Sequence, residues 1–331
     1  MTKVDVGGEI RSVRRRRPRL RMPVPLAWIA VTPFACWAVV RLGGFEGGTP
    51  MIQLITATPY VAAGSLIALL VAAASRNRAV VSTAVVTTVI MAILVLPRAM
   101  PSTPTATGPT LRILTANLLY GRGDASTVVD LVRRLRPDVL STQELTPDAV
   151  LALDSAGLGE LLPYRHLEEA FGASGSGIYS RHPLRKLPDF GPAGGHNMPR
   201  ATLTLPGRRT VEIVDVHTLA PLRPDTPGWL ADLAALPSAA SSSATIRILA
   251  GDFNASLDHA ALREVIGRGY ADAADATGKG LHTTWPANRR FPPLITIDHV
   301  LFDERASAVS ASVHEVPRSD HRALFAELRL P

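Results

Sequence analysis

The chain has a single cysteine, Cys36, in 331 residues. That excludes an intramolecular disulfide and any cluster of thiolate metal ligands. It leaves the compartment undecided, because an exported protein need not carry disulfides. There is no Gly-rich phosphate loop and no GxGxxG turn, which speaks against nucleotide-driven transfer. No serine stands in a nucleophile elbow, which speaks against acyl transfer. Positive charge is scarce where a nucleic-acid grip would need it. The formal net charge is +7, yet residues 1–98 hold 12 Lys/Arg against 3 Asp/Glu. Residues 99–331 therefore carry 23 basic and 25 acidic groups, with no excess to track a phosphate backbone.

Charge is also missing from three long runs, residues 22–40, 54–74 and 79–96. At about 1.5 Å per residue each reaches roughly 27–31 Å, enough to cross a hydrocarbon core of about 30 Å. Three successive runs of this kind predict three transmembrane helices over 22–96. The first is interrupted by Pro23, Pro25 and Pro33. The flanking charges set the expected orientation. A basic tail (residues 1–21, with Lys3, Arg11, Arg14 to Arg17, Arg19 and Arg21) and the loop bearing Arg76 and Arg78 are expected on the cytoplasmic side. Everything after the third span is then extracytoplasmic, with Arg98 as a contrary charge. Residues 97–110, PRAMPSTPTATGPT, read as an extended Pro-rich linker.

From residue 111 the pattern alternates. Apolar strand candidates cover 111–116, 138–142, 177–180, 201–205, 211–216, 246–250, 294–302, 308–313 and 323–330. Helical periodicity marks 126–135, 146–153, 229–236 and 259–266. Many strands and few helices suggest α/β (α+β) architecture with two packed sheets and helices outside, not a doubly wound sheet.

The informative residues fall at strand ends. Asn117 closes the first strand, and Gln143 and Glu144 the second. His217 follows 211–216, and Asp252 and Asn254 follow 246–250. Asp298 and His299 interrupt 294–302, and Asp320 and His321 open the last strand. Strand ends gathered on one rim bring such side chains together. Carboxylates, amides and imidazoles without thiolates suit a hard cation such as Mg²⁺ or Mn²⁺. That set fits hydrolysis of a phosphate ester or anhydride.

The ordered series TANLLYG, STQE, SGIYSRHP, VDVHT, GDFN, TIDHVLF and SDHRAL spans residues 111–331 nearly end to end. It resembles the endonuclease/exonuclease/phosphatase superfamily of metal-dependent phosphoesterases. The resemblance implies a four-layer sandwich of two β-sheets flanked by helices. It implies that Glu144, with Asn117 beside it and Asp320 near, holds the metal. It implies that Asp252 and Asn254 orient the attacking water, and that His321 is the catalytic imidazole backed by Asp298. His217 would be the second histidine, which stabilises the phosphorane-like transition state or protonates the leaving oxygen, and Arg200 is a candidate phosphate contact. His196, His282 and His299 are expected to be loop or packing histidines. The segment 219–244, with Arg223 as its one basic residue, suggests an open site without a DNA-gripping loop. Three spans joined to such a domain resemble the VanJ-type membrane proteins associated with glycopeptide (teicoplanin-type) resistance. That likeness implies a lipid-linked phosphate substrate, undecaprenyl pyrophosphate above all, and no nucleic-acid partner. A phospholipid or sphingomyelin-type phosphodiesterase and a membrane-anchored nuclease are the alternatives.

Overall fold

The computed structural model describes residues 21–188, 194–239 and 245–331. The basic tail other than Arg21 lies outside the described residues, as does the end of segment 219–244. Four helices come first: α1 Val24–Gly43, α2 Thr49–Ile55, α3 Thr58–Ser75 and α4 Arg78–Val95. The helices α1, α3 and α4, the last continued by a short turn to Ala99, are long and apolar enough to cross a membrane. They pack through small residues, with Ala27, Ala68, Ala72 and Ala84 buried. Their large side chains point outward; Ile29, Ile67, Leu70 and Ile93 are all exposed. That inversion of the soluble pattern suits a lipid surround, where close backbone approach drives helix pairing. Pro33 is tolerated inside α1. The expected second span begins later than predicted, because Thr56 and Ala57 break the run into α2 and α3.

The rest of the described chain holds two six-stranded sheets. The strands are β1 Thr110–Asn117, β2 Val139–Gln143, β3 Tyr164–Glu168, β4 Ser176–Ser180, β5 Leu184–Lys186 and β6 Arg200–Thr204. They continue as β7 Thr210–His217, β8 Ile246–Asp252, β9 Tyr270–Asp272, β10 Asp298–Asp303, β11 Ser307–Glu315 and β12 Arg322–Arg329. The first sheet runs β11-β12-β1-β2-β4-β3 and the second β5-β6-β7-β8-β10-β9. Helices α5 Ala125–Leu135 and α6 Pro147–Ser155 cover the first sheet. Helices α8 Thr226–Ala235 and α9 Ala260–Ile266 cover the second. The one-turn helix α7 Leu158–Leu161 joins the layer on the first sheet, and the one-turn helix α10 Ala273–Ala276 packs Ala273 and Ala276 against the core between the sheets. The four-layer expectation is met. Strand 294–302 is shorter than predicted, because Ile295 pairs with Trp285 and residues 294–297 border a cavity instead.

The inward parity of each central strand explains the rim. Leu111 and Ile113 precede Thr115 and Asn117; Ile246, Ile248 and Ala250 precede Asp252; Val211 and Ile213 precede Asp215 and His217. The aliphatic members fill the core between the sheets. The pairs β1/β2 and β7/β8 are parallel, so Asn117 lies opposite Gln143 and His217 opposite Asp252. Antiparallel β10 begins at the same level, with Asp298 opposite Asp252.

The linker expectation needs correction. Residues 97–110 lie along the domain: Ser102 N–H donates to Ala276 O (2.8 Å), Thr105 N–H to Ser307 Oγ (3.0 Å) and Gly108 N–H to Leu330 O (2.9 Å). Extended backbone has unpaired donors, and the domain surface satisfies them. Arg98 and Arg41 both bind the buried Asp258, at 2.6 and 2.9 Å. The charge of Arg98 is thus paired within the domain. Removing one partner of such a buried set typically costs about 3–5 kcal/mol. From α2, Ile52 enters the core under α8 and α9, and its carbonyl accepts from His259 Nε2 at 2.9 Å. Tyr60, in the first turn of α3, donates to Leu294 O (2.6 Å). The N-terminal helices are docked on the domain.

Candidate active site

Glu144 follows β2 with φ +55°, and Asn254 follows β8 with φ +47°. Leu119 and Tyr120, past the end of β1, also take left-handed conformations. Non-glycine residues held there are strained, and such strain gathers at functional sites. Here it turns side chains and N–H groups into one space. Asn117 Nδ2 donates to Glu144 Oε1 and to Asp252 Oδ2, each at 3.1 Å. Its Oδ1 accepts from Leu119 N–H (2.9 Å). Asn117 therefore holds two carboxylates in place, and its Oδ1 keeps a second lone pair beside them. Glu144 Oε2 accepts from Tyr120 N–H (2.7 Å). Asp252 Oδ1 accepts from Asn254 N–H (2.8 Å), and Asn254 Nδ2 donates to Thr218 O (3.0 Å).

His321 is fixed from both sides. Its Nδ1 lies 2.9 Å from Asp298 Oδ2, and its Nε2 faces Asp252 Oδ2 at 3.6 Å. Ser319 Oγ accepts from His321 N–H (3.0 Å) and donates to Asn117 O (2.7 Å), tying this turn to β1. Burial opposes a charged His321, but the charges of Asp298, Asp252 and Asp320 outweigh it and raise its pKa. Burial raises that of Asp252, against the pull of His321. The neighbouring carboxylates thus favour the charged imidazolium of His321. His217 is different. Burial, then the nearby His196 and His321, hold it well below the usual imidazole range, so it is neutral.

Asp252, Asp298 and His321 could together meet a cation, their donor atoms lying within 4.8 Å of one another. Asp298 spends both oxygens on His321 Nδ1, however. Glu144 and Asp320 fit a cation better. Asp320 Oδ2 accepts from Trp285 Nε1 (3.1 Å), while its buried Oδ1 has no hydrogen-bond partner among the described residues. Burial raises the Glu144 pKa, and the charge of Asp320 adds to the rise. Two hard carboxylates that repel across one cavity are the donor set a divalent ion relieves. The cavity holds about 680 Å³ and takes in Glu144, His217, Asp252, Asn254, Asp320 and His321.

Arg200 is not there. It binds Glu212 (2.7 Å), which also holds Arg247 (2.9 Å). Its strand parity is opposite to that of core-facing Ala201, so it points away from the space between the sheets. Among the histidines set aside, His299 is indeed a packing residue, bound to Asp272 and Ala255 O (2.8 Å each). His196 lies in a loop, as expected, but it also stacks on His217 with ring centroids 4.2 Å apart and borders the cavity. Its place just before β6, at the same end as His217, was the available signal. Asp215 was missed as well. Two residues before His217 it shares that inward face, and it accepts from Gln143 Nε2 (2.6 Å) and Gly177 N–H (3.0 Å) beneath the site. The site expected to be open is bordered by Gln53 and Thr56, from α2 and the break that follows it.

Residues 114–321 match the endonuclease/exonuclease/phosphatase family. Solved structures with this fold include an endonuclease/exonuclease/phosphatase from Beutenbergia cavernae. It is 19% identical, with 67% of this chain and 72% of that one covered and a TM-score of 0.51. An AP endonuclease from Archaeoglobus fulgidus is 17% identical, covering 65% and 98%, TM-score 0.53. TDP2 from D. rerio, complexed with a single-strand DNA product, is 19% identical, covering 66% and 98%, TM-score 0.50. Among curated proteins no sequence match is found.

Proposed function

The chain belongs to the endonuclease/exonuclease/phosphatase family, and we propose that it is a membrane-anchored, metal-dependent phosphohydrolase acting on lipid-borne phosphate head groups. The observation that carries this reading is the cavity wall. Gln53 and Thr56, from the segment joining two apolar spans, border the same space as Glu144 and His321. A site built partly from a membrane segment meets substrates at the bilayer surface. The net negative domain supports a lipid over a polynucleotide. Arg76 and Arg78 lie at the end of the helices remote from the domain, which supports a cytoplasmic N-terminus and an extracytoplasmic site.

Glu144 and Asp320 would hold the cation, Mg²⁺ or Mn²⁺, which when bound neutralises phosphate charge and makes phosphorus the better electrophile. Asp252 and Asn254 orient the attacking water. Asp252 takes its proton, and the imidazolium of His321, held by Asp298, stabilises the negative charge that develops on phosphate. Neutral His217, stacked on His196, donates a hydrogen bond to the leaving oxygen. Asn117 positions Glu144 and Asp252.

The test is phosphate release by the full-length protein in detergent micelles, with Mg²⁺, with Mn²⁺ and with chelator. Undecaprenyl pyrophosphate, phospholipids and DNA are the substrates. Metal-dependent release from a lipid, undecaprenyl pyrophosphate first among them, is expected. Cleavage of DNA with no turnover of any lipid would overturn the reading.

A further inference from the structure

The catalytic cavity does not end at the phosphate-facing residues. Its lining also includes Gln53, Thr56, Leu222, Leu294 and Ile295. Leu222 is 55% exposed and Leu294 45%, so two large apolar side chains stand at its mouth open to the surroundings. Clustered exposed apolar groups beside a site mark a ligand or membrane contact. Two hydrogen bonds pin this mouth to the membrane segment. Gln53 Nε2 donates to Pro221 O (3.2 Å), which fixes the backbone next to Leu222. Tyr60 donates to Leu294 O, and Tyr60 already lies in the first turn of the membrane-length helix α3. The mouth therefore opens where the hydrocarbon layer begins.

We propose that this mouth is a chain-binding subsite: Gln53, Thr56, Leu222, Leu294 and Ile295 receive the first hydrocarbon segment of a lipid phosphate that enters from the bilayer side. It rests on the lipid-phosphate reading above and adds to it a substrate selectivity for chain length. A phosphate at Glu144 and His321 has an apolar path for its chain along this wall. Leu222 and Leu294 contact the chain, and Gln53 is a positioning residue that latches the Leu222 loop to the anchor.

The experiment uses the full-length protein in detergent micelles with Mg²⁺ and isoprenyl pyrophosphates of five, ten and fifteen carbons. In the wild type, KM should fall with chain length, kcat/KM rising at least tenfold over the series by burial of added methylenes. In Leu222→Ser/Leu294→Ser that gain should shrink to under about threefold, with kcat at saturation changing far less than KM. Gln53→Ala should flatten the series in the same direction. Leu222→Ser alone serves if the double variant does not fold. A series that is flat in the wild type, or equally steep in the variants, overturns the subsite while leaving the phosphohydrolase reading standing. Absence of wild-type turnover on every lipid phosphate, beside turnover of DNA, overturns that reading itself.

Discussion

Asp298 and His321 are partners across the two sheets. Asp298 begins β10 of the second sheet, His321 precedes β12 of the first, and the carboxylate approaches Nδ1 at 2.9 and 3.1 Å. Catalytic geometry here depends on sheet packing as much as on local loops. Asp298→Asn should lower kcat by roughly 10²–10⁴, the usual worth of a positioned acid–base group. His321→Ala should do the same, and the double variant should be no worse than either alone, since both remove one unit. Steady-state kinetics on the three proteins decide it; additive losses would mean that Asp298 acts elsewhere.

Glu144→Gln keeps the size of the side chain and removes its charge. Wild-type melting temperature should rise with added Mg²⁺ or Mn²⁺, because an ion that binds only the folded state stabilises it. The variant should lose that rise along with several orders of magnitude in rate. A metal-induced shift preserved in the variant would place the cation on other residues.

His217 is read as serving the leaving oxygen. A phosphate leaving group needs little help, and a lipid alkoxide needs much. His217→Ala should therefore cost less on a prenyl pyrophosphate than on an alkyl phosphodiester, whereas His321→Ala should cost both alike. His196→Ala should follow His217→Ala in kind and fall short of it in size, because it removes only the stacking partner. Equal ratios on the two substrates would dismiss the leaving-group role.

The docking contact carries its own pH dependence. His259 is buried and neutral: Nδ1 accepts from Ser256 N–H (2.8 Å) and Nε2 donates to Ile52 O (2.9 Å). Burial lowers its pKa to about 4 from an ordinary 6.5. The unfolded chain then binds more protons than the native one across that window. Stability from this residue is complete above pH 6.5 and drains away as the pH falls towards 4. The span corresponds to about 3 kcal/mol at most. His259→Gln retains a donor for Ile52 O and cannot titrate, so its unfolding free energy should fall less between pH 6.5 and 4. Denaturant titrations of the full-length protein at both ends of that range provide the comparison.

Much of this was legible in the sequence because period-two strands carry their chemistry at one end. Asn117, Glu144, His217, Asp252, Asp298 and His321 stand where apolar alternation stops, and β-sheet parity puts them on one rim. Arg200 misled because proximity to β6 says nothing about face; one residue of parity sends it to Glu212 instead of the cavity. His196 was hidden because it lies in a loop with no period. The Pro-rich composition of 97–110 correctly denied it a helix, yet could not reveal that its backbone would find acceptors on Ala276 and Leu330. Nor could any local pattern pair Asp258 with Arg41 and Arg98, which are over 150 residues away.

Ile52 sits 1% exposed in the core under α8 and α9, although it is made before any strand of that core. A domain made without the helices before it would leave a void there, and Asp258 without its two arginines. The core of the domain is thus completed by a segment that precedes it, so the helices and the domain share one folding equilibrium. On the reading proposed above, that ties competence to the helices at assembly and needs no separate inhibitor.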